Sequence, residues 1–308
     1  MEITQKTELI PVSDGAKIAL HSWIPQKQNG YIVHVCHGMA EFALRYDRFA
    51  RFLADQGCTV YAHDHRGHGQ SIQECAPKGH LADKNGFFRA VEDLREIIEY
   101  TKKTHQTDKY ILFAHSFGSF TAQYFVTQYG SLINSLILSG TTSFSSVLGN
   151  LTIFLASVMA FFKPVRTPSL FLTKTAFGSY NKRIQKPSSS FSWLTRDDEE
   201  LKKYDQSDLC GFPCTIGFYR DLGTAFTVMN KAQNMKKIPK NVTILLIAGT
   251  DDPVGSYGAR VKKLYDAYEN LQFTSKIILY PKGRHESLNE INRDTVHNDI
   301  LSWIQNYT

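Results

Sequence analysis

The chain reads as an α/β fold: a mostly parallel central sheet flanked by helices, with a helical segment inserted before its last strands. Three observations carry this reading. Short apolar, β-rich runs alternate with longer helical stretches in two parts of the chain. The alternation lapses from Thr141 to about Gln233 and then resumes. Polar segments follow the apolar runs directly, where an open α/β sheet places its ligands.

The elements follow in order. Tyr31–Cys36 and Cys58–Ala62 read as buried strands, with a helix from Tyr46 to Gln56 between them. In "GFFRAVEDLREIIEYTKKT" Phe88, Val91, Leu94, Ile97 and Ile98 recur at helical spacing, with charges on the opposite face. A strand at Tyr110–Phe113, a helix after Ser116, and a further strand in "INSLILSG" (Ile133–Gly140) continue the pattern. The lapse holds the apolar run Val147–Phe162, a Pro/Ser-rich patch at Lys186–Ser190 and charged helical stretches such as "TRDDEELKKY". Strand and helix return in "NVTILLIAG", Ala259–Glu269, "SKIILYP" and a last helix ending near Ile304. The expected organisation is a discontinuous core, residues 1–140 and 234–308, with a helical cap at 141–233.

Composition narrows the function classes. The 308 residues suit one large α/β domain or a core with an insertion. The net charge of +6 comes from 35 basic and 29 acidic residues scattered without a basic run, so no nucleic-acid partner is expected. Five cysteines (Cys36, Cys58, Cys75, Cys210, Cys214) at irregular spacing argue for packed free thiols rather than a disulfide framework. "MEITQKTELIPVSDG" lacks the basic start and apolar core of a signal peptide, and Val147–Phe162 is shorter than the ~20 residues of a bilayer span. A cytoplasmic location is expected.

Four strand ends carry chemistry: His37-Gly38-Met39, Ser116 within "AHSFG", "GTDDPVG" (Gly249–Gly255) and "PKGRHES" (Pro281–Ser287). Serine, acid and histidine thus occur in the order of an α/β-hydrolase. A serine hydroxyl needs a base, for which His285 is the candidate; an aspartate, Asp251 or Asp252, would orient that imidazole and stabilise its cation. The backbone N–H groups of Phe117, at a helix start, and Met39, in a glycine-containing turn, would bind the oxyanion of a tetrahedral intermediate. A competing cluster, His63, His65 and His68, falls one residue short of H-x-H-x-D-H and has no later ligand set, so it reads as a tight structural loop. Neither metal nor organic cofactor is expected.

"CHGMAEFALRY", "AHDHRGHGQS", "FAHSFGS", "GTDDPVG" and "GRHESLNE" together resemble the monoacylglycerol lipase and lysophospholipase branch of the α/β-hydrolases. "FGSYN", "WLTRD" and "DLCGFPCTIGFYRDL" extend the likeness through the cap. By position the resemblance implies Ser116 as nucleophile, Asp252 (before Pro253) as acid, His285 as base, and Met39 and Phe117 as oxyanion donors. The sequence departs from the pattern at Ala114 and at Ser119, where glycines are common. Glu41 and Arg45 read as a structural ion pair or as head-group contacts. Val147–Phe162, with Leu155 inside it, is apolar around most of its circumference; this fits core packing, an acyl tunnel or a lid that touches membrane. The implied activity is hydrolysis of a single-acyl-chain, lipid-like ester through an acyl-enzyme. The alternatives are an aminopeptidase or amidase with the same triad, or a non-catalytic ligand-binding protein.

Overall fold

A computed structural model describes residues 2–72, 77–105 and 109–308; Cys75 lies outside the described residues. The strands are β1 (Ile3–Pro11), β2 (Lys17–Pro25), β3 (Tyr31–Cys36), β4 (Thr59–His63), β5 (Lys109–His115), β6 (Ser135–Ser139), β7 (Thr243–Gly249) and β8 (Ser275–Tyr280). They form one sheet in the order β1-β2-β4-β3-β5-β6-β7-β8. β1 and β2 pair antiparallel, as do β2 and β4, and every other pairing is parallel. The chain moves from β3 outward to β4, then crosses back to add β5 on the other side of β3. That reversal leaves a crevice beyond the carboxyl ends of β3 and β5, where such sheets bind ligands.

The helices are α1 (Asp47–Asp55), α2 (Gly86–Lys103), α3 (Phe117–Tyr129), α4 (Ser146–Phe162), α5 (Leu170–Phe177), α6 (Asp198–Asp205), α7 (Ile216–Val228), α8 (Ala232–Met235), α9 (Ala259–Asn270) and α10 (Arg293–Tyr307). The inner strands are buried on both faces because their side chains alternate between two cores. On β5, Tyr110, Leu112 and Ala114 join residues of α2, α3 and α9, while Ile111 and Phe113 join α1 and α10. Large side chains such as Ile111, Leu112 and Phe113 each contribute roughly 1.5–3 kcal/mol by leaving water.

The parallel strands match the sequence reading to within two residues at each end; β5 begins one residue earlier than expected and ends two later. The β1–β2 hairpin was not anticipated. β1 reads ITQKTELIP and is exposed along most of its length. It has no apolar face to announce it; its ladder to β2 makes it a strand.

Between β6 and β7 the chain carries helices α4 to α8 and one isolated bridge, Pro168 to Thr215. This segment is here called the cap. α4 starts where Ser145 accepts a hydrogen bond from the Leu148 N–H and stops before Lys163-Pro164. Its small residues Gly149 and Ala156 are buried. Val147, Phe154, Phe161 and Phe162 are 77%, 63%, 84% and 76% exposed, so core packing does not account for the helix. No helix among the described residues is long and apolar enough to cross a membrane.

Candidate active site

β5 runs buried as far as His115, the chain turns sharply at Ser116, and α3 begins at Phe117. Ser116 sits at φ 51, ψ −119, a conformation costing a residue with a side chain on the order of 1–3 kcal/mol. Four bonds hold it there: its N–H donates to the Ser139 carbonyl (3.0 Å), and its own carbonyl accepts from the Ser119 N–H (2.9 Å) and hydroxyl (2.6 Å) and from the Phe120 N–H (3.3 Å). Ser119, where glycine is common, thus braces the turn. Ala114, the other departure, is fully buried and pairs with Cys36 across the sheet. Gly118 allows α3 to abut the end of β3, since a Cβ there would lie 2.2 Å from the Cys36 carbonyl oxygen.

Of the two adjacent aspartates, Asp252 is buried and faces His285, its Oδ2 3.0 Å from Nδ1; Asp251 is exposed. Oδ1 of Asp252 accepts from the Val254 N–H at 2.8 Å, which fixes the carboxylate plane. His285 Nε2 is buried and has no hydrogen-bond partner among the described residues, so it is the nitrogen left to accept a proton. Burial lowers the His285 pKa. The charge and hydrogen bond of Asp252, helped by Glu286 and Glu41, outweigh it and hold the ring above the ordinary imidazole value. The neighbouring imidazole of His115, 4.7 Å away between ring centroids, is pushed well below that value by burial and then by His285. His115 Nδ1 lies 3.2 Å from Ser139 Oγ.

Ser116, His285, Met39 and Phe117 all line one cavity of about 650 Å³. As the first residue of α3, Phe117 has an amide without an intrahelical acceptor. The far walls are apolar and come from the cap, including Leu148, Leu151, Leu155, Leu172 and Phe226. Glu41 lines the cavity and Arg45 does not. The Arg45 guanidinium is bound to Glu41 Oε2 (2.6 Å) and to both carboxylate oxygens of Glu286 (2.7 Å each), an arrangement in which it contacts carboxylates rather than the cavity.

The histidine-rich loop, read from the sequence as structural, does not bring His63, His65 and His68 together as one group with metal-ligand spacing. Cys36, His63 and His65, all buried, place donor atoms within 4.8 Å of one another and are the group with metal-ligand spacing among the described residues. His68 packs instead against Phe212 and Phe218. His63 Nδ1 is paired with His34 Nε2 at 2.8 Å, its buried Nε2 has no hydrogen-bond partner among the described residues, and His65 Nε2 lies 2.9 Å from the His37 carbonyl oxygen. Cys36, His63, His65 and His68 do not line the cavity.

Four residues near the histidine had no role in the sequence reading. Glu286 follows His285 directly, Gly140 follows β6 beside the imidazole, and Trp193 packs its ring 5.0 Å from that of His285. Tyr180 stands edge-on to Trp193 at 4.9 Å. Trp193 and Tyr180 lie in the cap, more than 90 residues before His285 in the chain, so no local spacing connects them to it.

A strained serine elbow, an aspartate–histidine pair after later strands and this sheet order define the protein as an α/β-hydrolase. A family model described as "Serine aminopeptidase, S33" matches residues 27–292, and the chain belongs to that family. It is 26% identical over 297 residues to a monoacylglycerol lipase of Mycolicibacterium smegmatis, covering 94% of this chain and 93% of that protein. It is 24% identical to the monoglyceride lipase of Mus musculus, over 95% of this chain and 88% of the mouse protein. A carboxyl esterase from Bacillus coagulans, solved in complex with glycerol, shares the fold with a TM-score of 0.87 at 24% identity, covering 100% and 99% of the two chains.

Proposed function

We propose that the protein is a serine carboxylic-ester hydrolase acting on lipid esters with one acyl chain, of the monoacylglycerol or lysophospholipid class. The observation that carries this reading is a serine held on a strained elbow beside a histidine with a free Nε2, at one end of an apolar cavity. In this reading Ser116 Oγ attacks the ester carbonyl while His285 Nε2 takes its proton. Asp252 holds the Nδ1–H and stabilises the cation, and the Met39 and Phe117 amides receive the oxyanion. Collapse breaks the acyl–oxygen bond, and the alcohol leaves with the proton from His285. Water, deprotonated by the same nitrogen, then attacks the acyl-enzyme and releases the acid and Ser116.

The cavity favours a chain-like acyl group over a peptide. An aminopeptidase needs unpaired acidic groups for the substrate ammonium. The two carboxylates that line this cavity, Glu41 and Glu286, are both bound by Arg45. The relatives named for monoacylglycerol hydrolysis support the same choice. In our reading residues 141–233 act as the cap. The exposed Val147, Phe154, Phe161 and Phe162 of α4, with Leu170 and Phe171 of α5, form its transient contact with a lipid surface. Four unpaired, buried cysteines suit a reducing, cytoplasmic setting.

A kcat/KM panel of monoacylglycerols, lysophospholipids, short p-nitrophenyl esters and aminoacyl amides, with fluorophosphonate labelling, tests the reading. Ser116→Ala is expected to lose label and roughly 10⁴–10⁶ in kcat with the fold intact. A variant keeping more than a tenth of wild-type turnover refutes the assignment of Ser116, and best turnover on aminoacyl amides refutes the ester reading.

A further inference from the structure

Two loops from opposite ends of the chain meet at Arg45. On one side Glu41 Oε1 accepts the Gly38 N–H at 2.6 Å and the Tyr46 hydroxyl at 2.9 Å, which fixes the turn carrying Met39. Oε2 of the same carboxylate takes Arg45. On the other side Arg45 grips Glu286 through a two-bond fork, and Asn289 donates to Glu286 Oε2 at 2.9 Å. Glu286 is the residue after His285. One guanidinium therefore spans from the loop that holds the oxyanion amide to the loop that holds the base, across 241 residues of sequence.

The cap closes over this bridge. The Tyr204 ring covers the Arg45 guanidinium at 4.7 Å, and the Tyr204 hydroxyl (3.1 Å) and Gly211 N–H (2.9 Å) both donate to the carbonyl of Ala40. Ala40 has φ 53, a conformation that a side chain disfavours and that these bonds sustain. The histidine loop is stitched to the cap as well. His285 N–H donates to the Trp193 carbonyl (3.3 Å), Glu286 N–H to that of Leu194 (2.7 Å), and Arg284 Nη1 to those of Ser192 and Thr195 (2.7 Å each). Burial pushes the Glu286 carboxyl up, but Arg45 holds it down to about 2, so the fork is ionic.

We propose that Arg45, joined to Glu41 and Glu286 beneath Tyr204, is the positioning residue that registers the oxyanion turn against the histidine loop, so that the hydrolytic centre is assembled only while the cap segments 192–195 and 204–211 are seated. The inference rests on the hydrolase reading above. Two parts of the cap then differ in what they do. Segments 192–195 and 204–211 belong to the catalytic framework, and substrate enters past the apolar helices α4 and α5.

The test uses a short, water-soluble ester, the second-order rate of fluorophosphonate labelling, and a thermal melt. Glu286→Gln keeps the shape and removes the ionic fork. It is expected to lower kcat and the labelling rate between about ten- and a hundredfold with KM within twofold, because a misplacement of the order of an ångström has that cost. Its kcat/KM acid limb is also expected to move to lower pH. His285 is faced by Asp252, His115, Glu286 and Glu41, with Trp193 and Tyr180 on the cap side, and the variant removes one of the charges favouring its cation.

The neutral triple variant Glu41→Gln/Arg45→Met/Glu286→Gln buries no unpaired charge. It is expected to melt within a few degrees of wild type (about 2–4 °C) and to lose about a hundredfold in kcat. Tyr204→Phe is expected to lose part of kcat, since it keeps the ring and drops the bond to Ala40. Wild-type kcat and an unmoved acid limb in Glu286→Gln overturn the proposal, and that variant decides if the triple one does not fold. Wild-type protein that neither labels nor hydrolyses any ester refutes the hydrolase reading instead.

Discussion

Gly140→Ala tests the placement of the histidine through one methyl group. Gly140 follows β6 at φ +55, and a Cβ there would lie 2.9 Å from His285 Cε1, 3.0 Å from its Nδ1 and 2.8 Å from His115 Cε1. Ordinary contact begins near 3.4 Å, so the two rings must retreat by about half an ångström (3.4 minus 2.9) or the backbone must shift. His285 cannot retreat freely. Its Nδ1 is bound to Asp252 and its ring packs on Trp193. The positive φ costs an alanine about 1–2 kcal/mol, or roughly 2–3 °C of melting temperature in a chain of this size.

The displaced imidazole is a separate loss and falls on kcat, by about ten- to a hundredfold. Gly15→Ala supplies the comparison, since Gly15 has φ +86 and nothing within 4 Å of the added methyl. Both variants are expected to lose similar stability, and Gly140→Ala alone to lose kcat. Steady-state kinetics on a short ester and a thermal melt of each variant provide the check. Equal kcat in the two would refute the argument that Gly140 is small in order to seat His285.

Further outcomes follow from the same geometry. Each buried CH₂ of an acyl chain is worth about 0.8 kcal/mol, so kcat/KM is expected to rise several-fold per two carbons until the cavity is full. Leu155→Asp, on the cavity wall, should then penalise long-chain esters far more than acetates; equal loss on both, or a drop in melting temperature that explains it all, refutes the acyl site. His285 must be neutral to act as base and its pKa lies above the ordinary 6.5, so kcat/KM should fall on acidification from above that value. Asp252→Asn should move this limb down in pH and cost about 10⁴ in kcat; an unmoved limb in a pH–rate profile contradicts the pairing. Ester hydrolysis should survive exhaustive chelation, with His63→Ala acting through stability because its ring is buried against His34; loss restored by zinc overturns the serine mechanism.

What was legible in the sequence was local. The buried strands β3, β5 and β7 are runs of apolar residues, and the candidate reactive groups follow them immediately, because the chain turns where each strand ends at the crevice. Ser116, Met39 and Phe117 could be named from their neighbours alone. The candidate acid was narrowed only to Asp251 or Asp252 by the residues themselves; the resemblance favoured Asp252, and Asp252 is the one that hydrogen-bonds His285. β1 was invisible because both its faces are largely wet, and its only reason to be a strand is the ladder to β2.

The other decisions needed the folded chain. Arg45 could pair within its own turn or face a ligand on sequence grounds; Glu286, 241 residues away, turns it inward. The apolar circumference of α4 had three readings, and the fold divides the helix between a cavity wall at Leu155 and an exposed face at Phe154 and Phe161. The histidine loop offered His63, His65 and His68, yet the strand beside it brought Cys36 into the cluster and sent His68 among phenylalanines. Residue chemistry is a property of the chain and can be read from it. Which distant group desolvates, pairs or crowds a given side chain is set by the closing of the sheet and the seating of the cap, where contacts between residues far apart in sequence are made together.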